Sequence, residues 1–348
     1  MYAILRFLPV FFDVYGFHFQ LTSRGDGESA VMLANDFAYF RRESVESPFV
    51  LRFHAQDPPY DGLPDRIASV YTPRNISLTV GERTYVDYSG RAIAIVNHQE
   101  RSFDVYSCNA ELSYEAAYLF LLSRIGEFLD ARRLHRLHAM ALGYQGSAVL
   151  AILPMGGGKS TLGAELLKCC DYGFLSDDSP FIGRDGTVYA FPLRLGLLPG
   201  GESEIPPEHR RVLNRMEFGP KILVNYDYFA HRVIPSAAPG IVFLGYRSLA
   251  QECRIEPAGW RESMHSIVAN CVIGLGLFQG LEFMVRARAT ELAGKAGAGW
   301  SRLRNARALF RRSQVYRLIL GRDRERNART VTEFVRSRLD GRGSKAAS

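Results

Sequence analysis

Pro154-Met155-Gly156-Gly157-Gly158-Lys159-Ser160-Thr161 follows directly on the continuous apolar run Ala148-Val149-Leu150-Ala151-Ile152-Leu153. A run of that kind marks a strand buried on both faces of a sheet. Leu162 to Leu167 reads as a helix, so the order is strand, glycine turn, helix. Three consecutive glycines lack Cβ atoms and take positive φ without cost, which lets several backbone N–H groups converge on an anion. A helix starting near Ser160 adds its positive N-terminal end. Lys159 supplies an ammonium for β- and γ-phosphates, and the Ser160 hydroxyl is a hard donor for magnesium. The stretch therefore reads as a phosphate-binding loop for ATP with Mg2+. Gly156, Gly157, Gly158, Lys159, Ser160 and Thr161 are its nucleotide-binding residues. One position departs from the pattern GxxxxGK[ST]: Leu153 stands where glycine is usual, six before the lysine, and Pro154 stiffens the entry. The bland alternative is a glycine turn with an incidental lysine.

The second element is Phe174-Leu175-Ser176-Asp177-Asp178, an apolar run ending in two acids eighteen and nineteen residues after Lys159. With Phe174 to Ser176 as the next strand, both carboxylates lie at its C-terminal end, where α/β sheets place ligand-binding groups. Strand alternation sends the two side chains to different sides. That division suits one acid holding a metal and the other serving as a base. The alternative is an Asp-Asp turn leading into Ser179-Pro180. Upstream, His138 to Tyr144 and Ser147 to Leu153 form a hairpin around Gln145-Gly146. Arg194, in Phe191-Pro192-Leu193-Arg194, and Lys221, opening the strand Lys221 to Val224, could clamp an anionic group or serve as surface ion-pair partners.

Residues 1–110 read as mainly antiparallel β. Ile76–Val80, Thr84–Tyr88, Ala92–Val96 and Phe103–Tyr106 are short and rich in β-branched and aromatic residues, separated by Gly81-Glu82, Ser89-Gly90 and Asn97-His98. Met1 to Val14 reads as a strand and not as a signal peptide, because Arg6 and Asp13 interrupt it. A helix begins after Ser113 as N-cap and ends at Arg132-Arg133. Gly240 to Gly245 and Gln314 to Leu320 read as further strands, with Arg329 to Leu339 as a closing helix. The expected organisation is an N-terminal β region (1–110), a loop-bearing α/β core (111–285) and a basic C-terminal segment (286–348).

Composition narrows the class. The chain has 348 residues and a net charge of +7, with apolar and charged fractions typical of a soluble globular protein. Its five cysteines form no CxxC pair, which fits reduced thiols in a cytoplasmic protein better than a disulfide framework or zinc site. Ile267 to Val285 is apolar but carries Asn270, Gln279 and Glu282, so it reads as a buried or amphipathic helix and not a transmembrane segment. Residues 286–348 hold seventeen Lys/Arg against five Asp/Glu. That surface is either a solvated helical face or a dock for an anionic partner. Its few aromatics argue against nucleic acid.

Taken together, His138, the glycine loop and Asp177-Asp178 resemble the catalytic domain of HPr kinase/phosphorylase, which shares its fold with phosphoenolpyruvate carboxykinase. The likeness runs from His138 to about Arg194. In that family a histidine stands twenty-one residues before the loop lysine, as His138 does before Lys159, and an adjacent aspartate pair follows at about the spacing seen here. The resemblance implies a P-loop kinase core with a mixed central sheet. It implies that Asp177 and Ser160 ligate magnesium, that Asp178 takes the proton of the acceptor hydroxyl, and that His138 orients the acidic pair. No stretch resembles the family's second signature, which is tied to phosphorolysis, and residues 1–110 do not resemble its regulatory domain. The expected activity is transfer of the γ-phosphoryl group of ATP to a hydroxyl of a protein, a peptide or a small molecule. A non-enzymatic ATP-binding regulatory module, and a P-loop ATPase or transporter component, are the competing readings. No LSGGQ-type signature follows the loop. Oligomeric state is open at this point.

Overall fold

A computed structural model describes residues 9–25, 27–154, 156–169, 171–200, 205–215, 219–272 and 290–340. The chain is a mixed α/β protein with two compact units, one built mainly from residues up to Leu129 and one from Asp130 onward.

The N-terminal unit is organised on a nine-stranded sheet. Ile76–Val80, Arg83–Asp87, Ile93–Asn97 and Ser102–Tyr106 form the expected antiparallel meander. Beyond it the sheet is not purely antiparallel. Phe49–His54 pairs parallel with both Phe17–Arg24 and Ser102–Tyr106. Parallel pairs need long crossovers, and one of these contains a helix the sequence reading missed, Glu28–Asp36. Gly27, with φ 75°, caps it without a side-chain hydrogen bond, so no Ser, Thr or Asp announces its start. The long helix runs Ala110–Ala131 and not from Ser113. Asn109 provides the cap, its side chain accepting from Leu112 N–H at 2.9 Å, whereas Ser113 is buried. Phe120 stacks on Phe103 and meets Phe49, which ties this helix to the sheet. Strand Val10–Val14 is the described part of the first expected strand; residues 1–8 lie outside the described residues.

The C-terminal unit holds the glycine loop. Its main sheet runs His135–Arg136, Phe181–Ile182, Val188–Tyr189, Ser236–Arg247, Ser147–Ile152, Met140–Tyr144, Tyr172–Ser176, and Gln314–Leu320 also pairs with Ser236–Arg247. The hairpin turns at Gln145 (φ 46°) and Gly146 (φ 77°), the two left-handed positions of a primed hairpin turn. Ser147–Ile152 is parallel to Ser236–Arg247, which is parallel to Gln314–Leu320. Helices Lys159–Leu167 and Arg324–Leu339 cover this sheet, with Leu162, Leu166, Val331 and Val335 buried against Val149, Ala151 and Phe243. The closing helix starts five residues earlier than expected because Asp323 caps it, accepting from Arg326 N–H at 3.1 Å.

Of the apolar segment 267–285, helix Trp260–Ile267 and the π-helical turn Val268–Val272 are seen; the rest lies outside the described residues. Among the described residues no helix is long and apolar enough to cross a membrane. Lys221 is the third residue of strand Gly219–Val224, not its first.

Leu153 owes its place to packing. It is 1 % exposed, and a Cβ built on Gly245 of the adjacent strand would fall 2.2 Å from Leu153 Cγ. Here the small residue sits on the neighbouring strand and the large one begins the loop. Gly245→Ala should therefore lower stability by about 1–3 kcal/mol through overpacking. Adding Leu153→Ala should recover part of that loss, a coupling a double-mutant cycle in urea would read. A Gly245→Ala protein as stable as the parent would refute this packing account.

Candidate active site

Strand direction brings the site together. Ser147–Ile152 and Tyr172–Ser176 both pair antiparallel with Met140–Tyr144, so the outer two point the same way. The loop after Ile152, the acids after Ser176 and His138 just ahead of Met140 therefore emerge at one edge of the sheet. The end of Ser236–Arg247 joins them, because Ile152 is in register with Leu244.

Gly156 (φ 73°) and Gly158 (φ 97°) hold left-handed conformations that a side chain would strain. A Cβ on Gly157 would lie 2.9 Å from the Pro154 carbonyl oxygen. The loop closes with Gly157 N–H donating to Pro154 O at 3.0 Å. Helix Lys159–Leu167 follows, with Gly158 as its cap and no side-chain cap bond. Its first-turn N–H groups, those of Lys159, Ser160 and Thr161, are the donors that a helix start leaves without an intrahelical partner. Ser160 and Thr161 are half-buried.

Lys159 is 7 % exposed. Its Nζ donates to Leu153 O at 3.0 Å, lies 2.7 Å from His138 Nε2 and 3.3 Å from Asp178 Oδ1. The lysine thus needs only the backbone carbonyl of residue 153, and a leucine provides that as well as a glycine. An ammonium has protons only to give, so His138 Nε2 accepts and the imidazole proton belongs on Nδ1. His138 Nδ1 is 3.3 Å from Asp178 Oδ1, a close polar contact with the carboxylate. Burial pushes the His138 pKa down; Asp178 raises it and Lys159 lowers it, with a net downward shift. The imidazole is therefore neutral at pH 7.

The acids separate, although both lie in the bend just after strand Tyr172–Ser176 and not in the strand itself. Asp177 is buried, its Oδ2 accepting from Ser160 Oγ and from Gly196 N–H, each at 3.0 Å. Asp178 has a side chain 48 % exposed. Arg194 is half-buried, two residues ahead of Gly196 and next to strand Leu195–Leu197. Lys221 falls in the N-terminal unit.

No protein-family model matches this chain. No curated protein matches it either.

Three features of the site carry no side-chain signal in the sequence: the Gly196 N–H on Asp177, the Leu153 carbonyl on Lys159, and a cleft beside His138. The cleft holds about 360 Å³ and lies between the loop entry, the end of Ser236–Arg247 and helix Trp260–Ile267. A second polar cluster lies elsewhere in the same unit. Asp130 Oδ1 is 2.7 Å from His135 Nδ1, and His135 Nε2 is 2.8 Å from Ser301 Oγ. Burial opposes the Asp130 charge, yet hydrogen bonds from His135 and Arg302 outweigh it and hold its pKa below the usual value. The order acid, imidazole, hydroxyl matches a hydrolytic triad, but His135 is 1 % exposed. Asn305 in the same helix donates to Arg133 O at 2.8 Å and to Ile182 O at 3.1 Å. This cluster fastens helix Thr290–Arg312 to the sheet.

Proposed function

We propose that the protein is an HPr-kinase-like phosphotransferase that moves the γ-phosphoryl group of ATP to a hydroxyl. The observation that carries this reading is the meeting of Lys159, His138 and Asp178 within 3.3 Å of one another, beside a glycine loop with an uncapped helix start. A structural turn has no need of a buried ammonium aimed at an imidazole and a carboxylate.

In this reading the glycine loop and the first N–H groups of the helix bind the phosphates. Lys159 moves from the His138–Asp178 pair to the incoming β- and γ-oxygens, which leaves Asp178 as a free carboxylate. Asp178 accepts the acceptor's O–H proton while the acceptor oxygen bonds to the γ-phosphorus. The bond from that phosphorus to the β–γ bridging oxygen breaks, and ADP departs. Neutral His138 holds Asp178 in place and offers a second site for the proton. Ser160 Oγ and Asp177 Oδ2, 3.0 Å apart, are two hard oxygen donors suited to Mg2+. Among the described residues no cluster of three or more His, Cys, Asp or Glu is placed to hold a metal. Magnesium takes few protein ligands and fills its shell with water and phosphate. Bound there, it would neutralise charge on the transferring group. A cytoplasmic setting, with ATP present and thiols reduced, suits the free thiols of Cys108, Cys169 and Cys253.

Incubation with γ-labelled ATP, Mg2+ and an extract of the source cells tests the reading. Label is expected to appear on an acceptor, and chelation with EDTA is expected to stop it. Bound ATP with no labelled acceptor would instead identify a non-enzymatic nucleotide-binding module.

A further inference from the structure

We propose that the cleft beside His138 is the acceptor site and that it takes a small, uncharged hydroxyl compound with a largely apolar body. The inference rests on the phosphotransferase reading above and adds to it the class of the acceptor.

Position is the first argument. The cleft and the reacting groups share His138, whose ring contacts both Lys159 and Asp178. An oxygen entering along the cleft therefore arrives next to His138, the neighbour of both Lys159 and Asp178. His138 itself is 7 % exposed, with its Nδ1 3.3 Å from Asp178 Oδ1.

The walls give the acceptor's character. Ile152, Leu153, Pro154, Leu244 and Ala269 make the surface mainly apolar. Glu262 is the carboxylate among the described lining residues, and its charge is already answered. Arg317 donates to it twice, at 3.1 and 2.9 Å, and Tyr246 donates its hydroxyl at 2.7 Å. A cationic acceptor would have to compete with Arg317 for that carboxylate. An anionic acceptor would sit beside that carboxylate, with no Lys or Arg among the described lining residues to answer it. Asn270 donates its amide nitrogen to Ser266 O at 3.1 Å. The volume, about 360 Å³, lies near the lower end of ordinary ligand clefts, roughly 300–1,000 Å³. It suits one small molecule better than a stretch of peptide.

The transfer balances as written above: the acceptor loses a proton to Asp178, gains the phosphoryl group, and ADP leaves. Three isosteric probes test the proposal in the presence of Mg2+ and a non-hydrolysable ATP analogue, read by fluorine NMR. They are 4-fluorobenzyl alcohol, 4-fluorobenzylamine and 4-fluorobenzoate. The alcohol is expected to bind the wild-type protein about tenfold more tightly than either charged probe. Ala269→Trp, which fills the cleft from a half-buried position, is expected to weaken alcohol binding about tenfold or more while the analogue's affinity changes less than about threefold. A melting curve matching wild type establishes that the variant is folded; Ala269→Leu serves if it is not. The proposal is overturned by an alcohol that does not bind, by charged probes that bind as well, or by alcohol binding that survives Ala269→Trp. Loss of analogue binding in Ala269→Trp would also overturn it, because the cleft would then belong to the nucleotide. Failure of the wild type to bind the analogue at all is a separate result, and it overturns the phosphotransferase reading instead.

Discussion

Asp178→Asn is expected to lower phosphoryl transfer by about 10²- to 10⁴-fold, the usual contribution of a positioned general base, with ATP affinity nearly unchanged. The asparagine has the same shape but cannot accept a proton as a carboxylate does. Because the Asp178 side chain is 48 % exposed, the exchange asks little of the fold. It removes one influence on His138: the carboxylate raises that imidazole's pKa, so the His138 pKa should fall further in the variant. NMR titration of the ring protons would read this, and it confirms that the altered residue faces His138 whatever happens to turnover. Unchanged turnover in Asp178→Asn would remove the base from the proposal.

Lys159→Met is the second large effect, and its signature differs. The apolar stem keeps most of its volume while the ammonium disappears. Transfer should fall by about 10²–10³, the typical cost of deleting one donor to a developing charge, and here ATP affinity should fall with it. Leu153 O loses its buried donor, at about 1–3 kcal/mol, but the desolvation cost of a buried cation goes too. Net stability therefore changes less than activity. The sign at His138 reverses: Lys159 lowers its pKa, so removal of the ammonium should raise it. Lys159→Met with wild-type ATP affinity would mean that the loop does not hold phosphate through this residue. Lys159→Arg is not expected to rescue, since a planar guanidinium does not present the compact charge of an ammonium.

The loop strand was legible because burial on both faces demands an unbroken apolar run, and Ala148 to Leu153 is one. The hairpin was legible because Gln145-Gly146 supplies two residues able to take positive φ. Asp177 and Asp178 were placed at a strand end by the apolar run before them, but the bend after Ser176, and not strand alternation, buries the first and exposes the second. The helix cap was misread at Ser113 because Asn109 and Ser113 are both good caps, and only packing of the first turn chooses between them. Helix Glu28–Asp36 was missed because a glycine cap carries no side-chain sign. The Gly196 N–H on Asp177 and the Leu153 carbonyl on Lys159 are backbone groups, and any residue type presents them.

What the sequence determined by itself is local: where the backbone can turn without a Cβ, where a strand must be buried, and which residue carries an ammonium, a hydroxyl or a carboxylate. Those properties follow from chain chemistry over a few residues. That His138, Lys159 and Asp178 meet was decided by the sheet, through the strand Met140–Tyr144 lying antiparallel between two others that point the same way. The cleft beside them was decided by the same means, when Ser236–Arg247 docked parallel on the loop strand and brought Leu244 and Tyr246 to its edge. Pairing between residues far apart in the chain depends on all the surfaces buried together, and no local period records it.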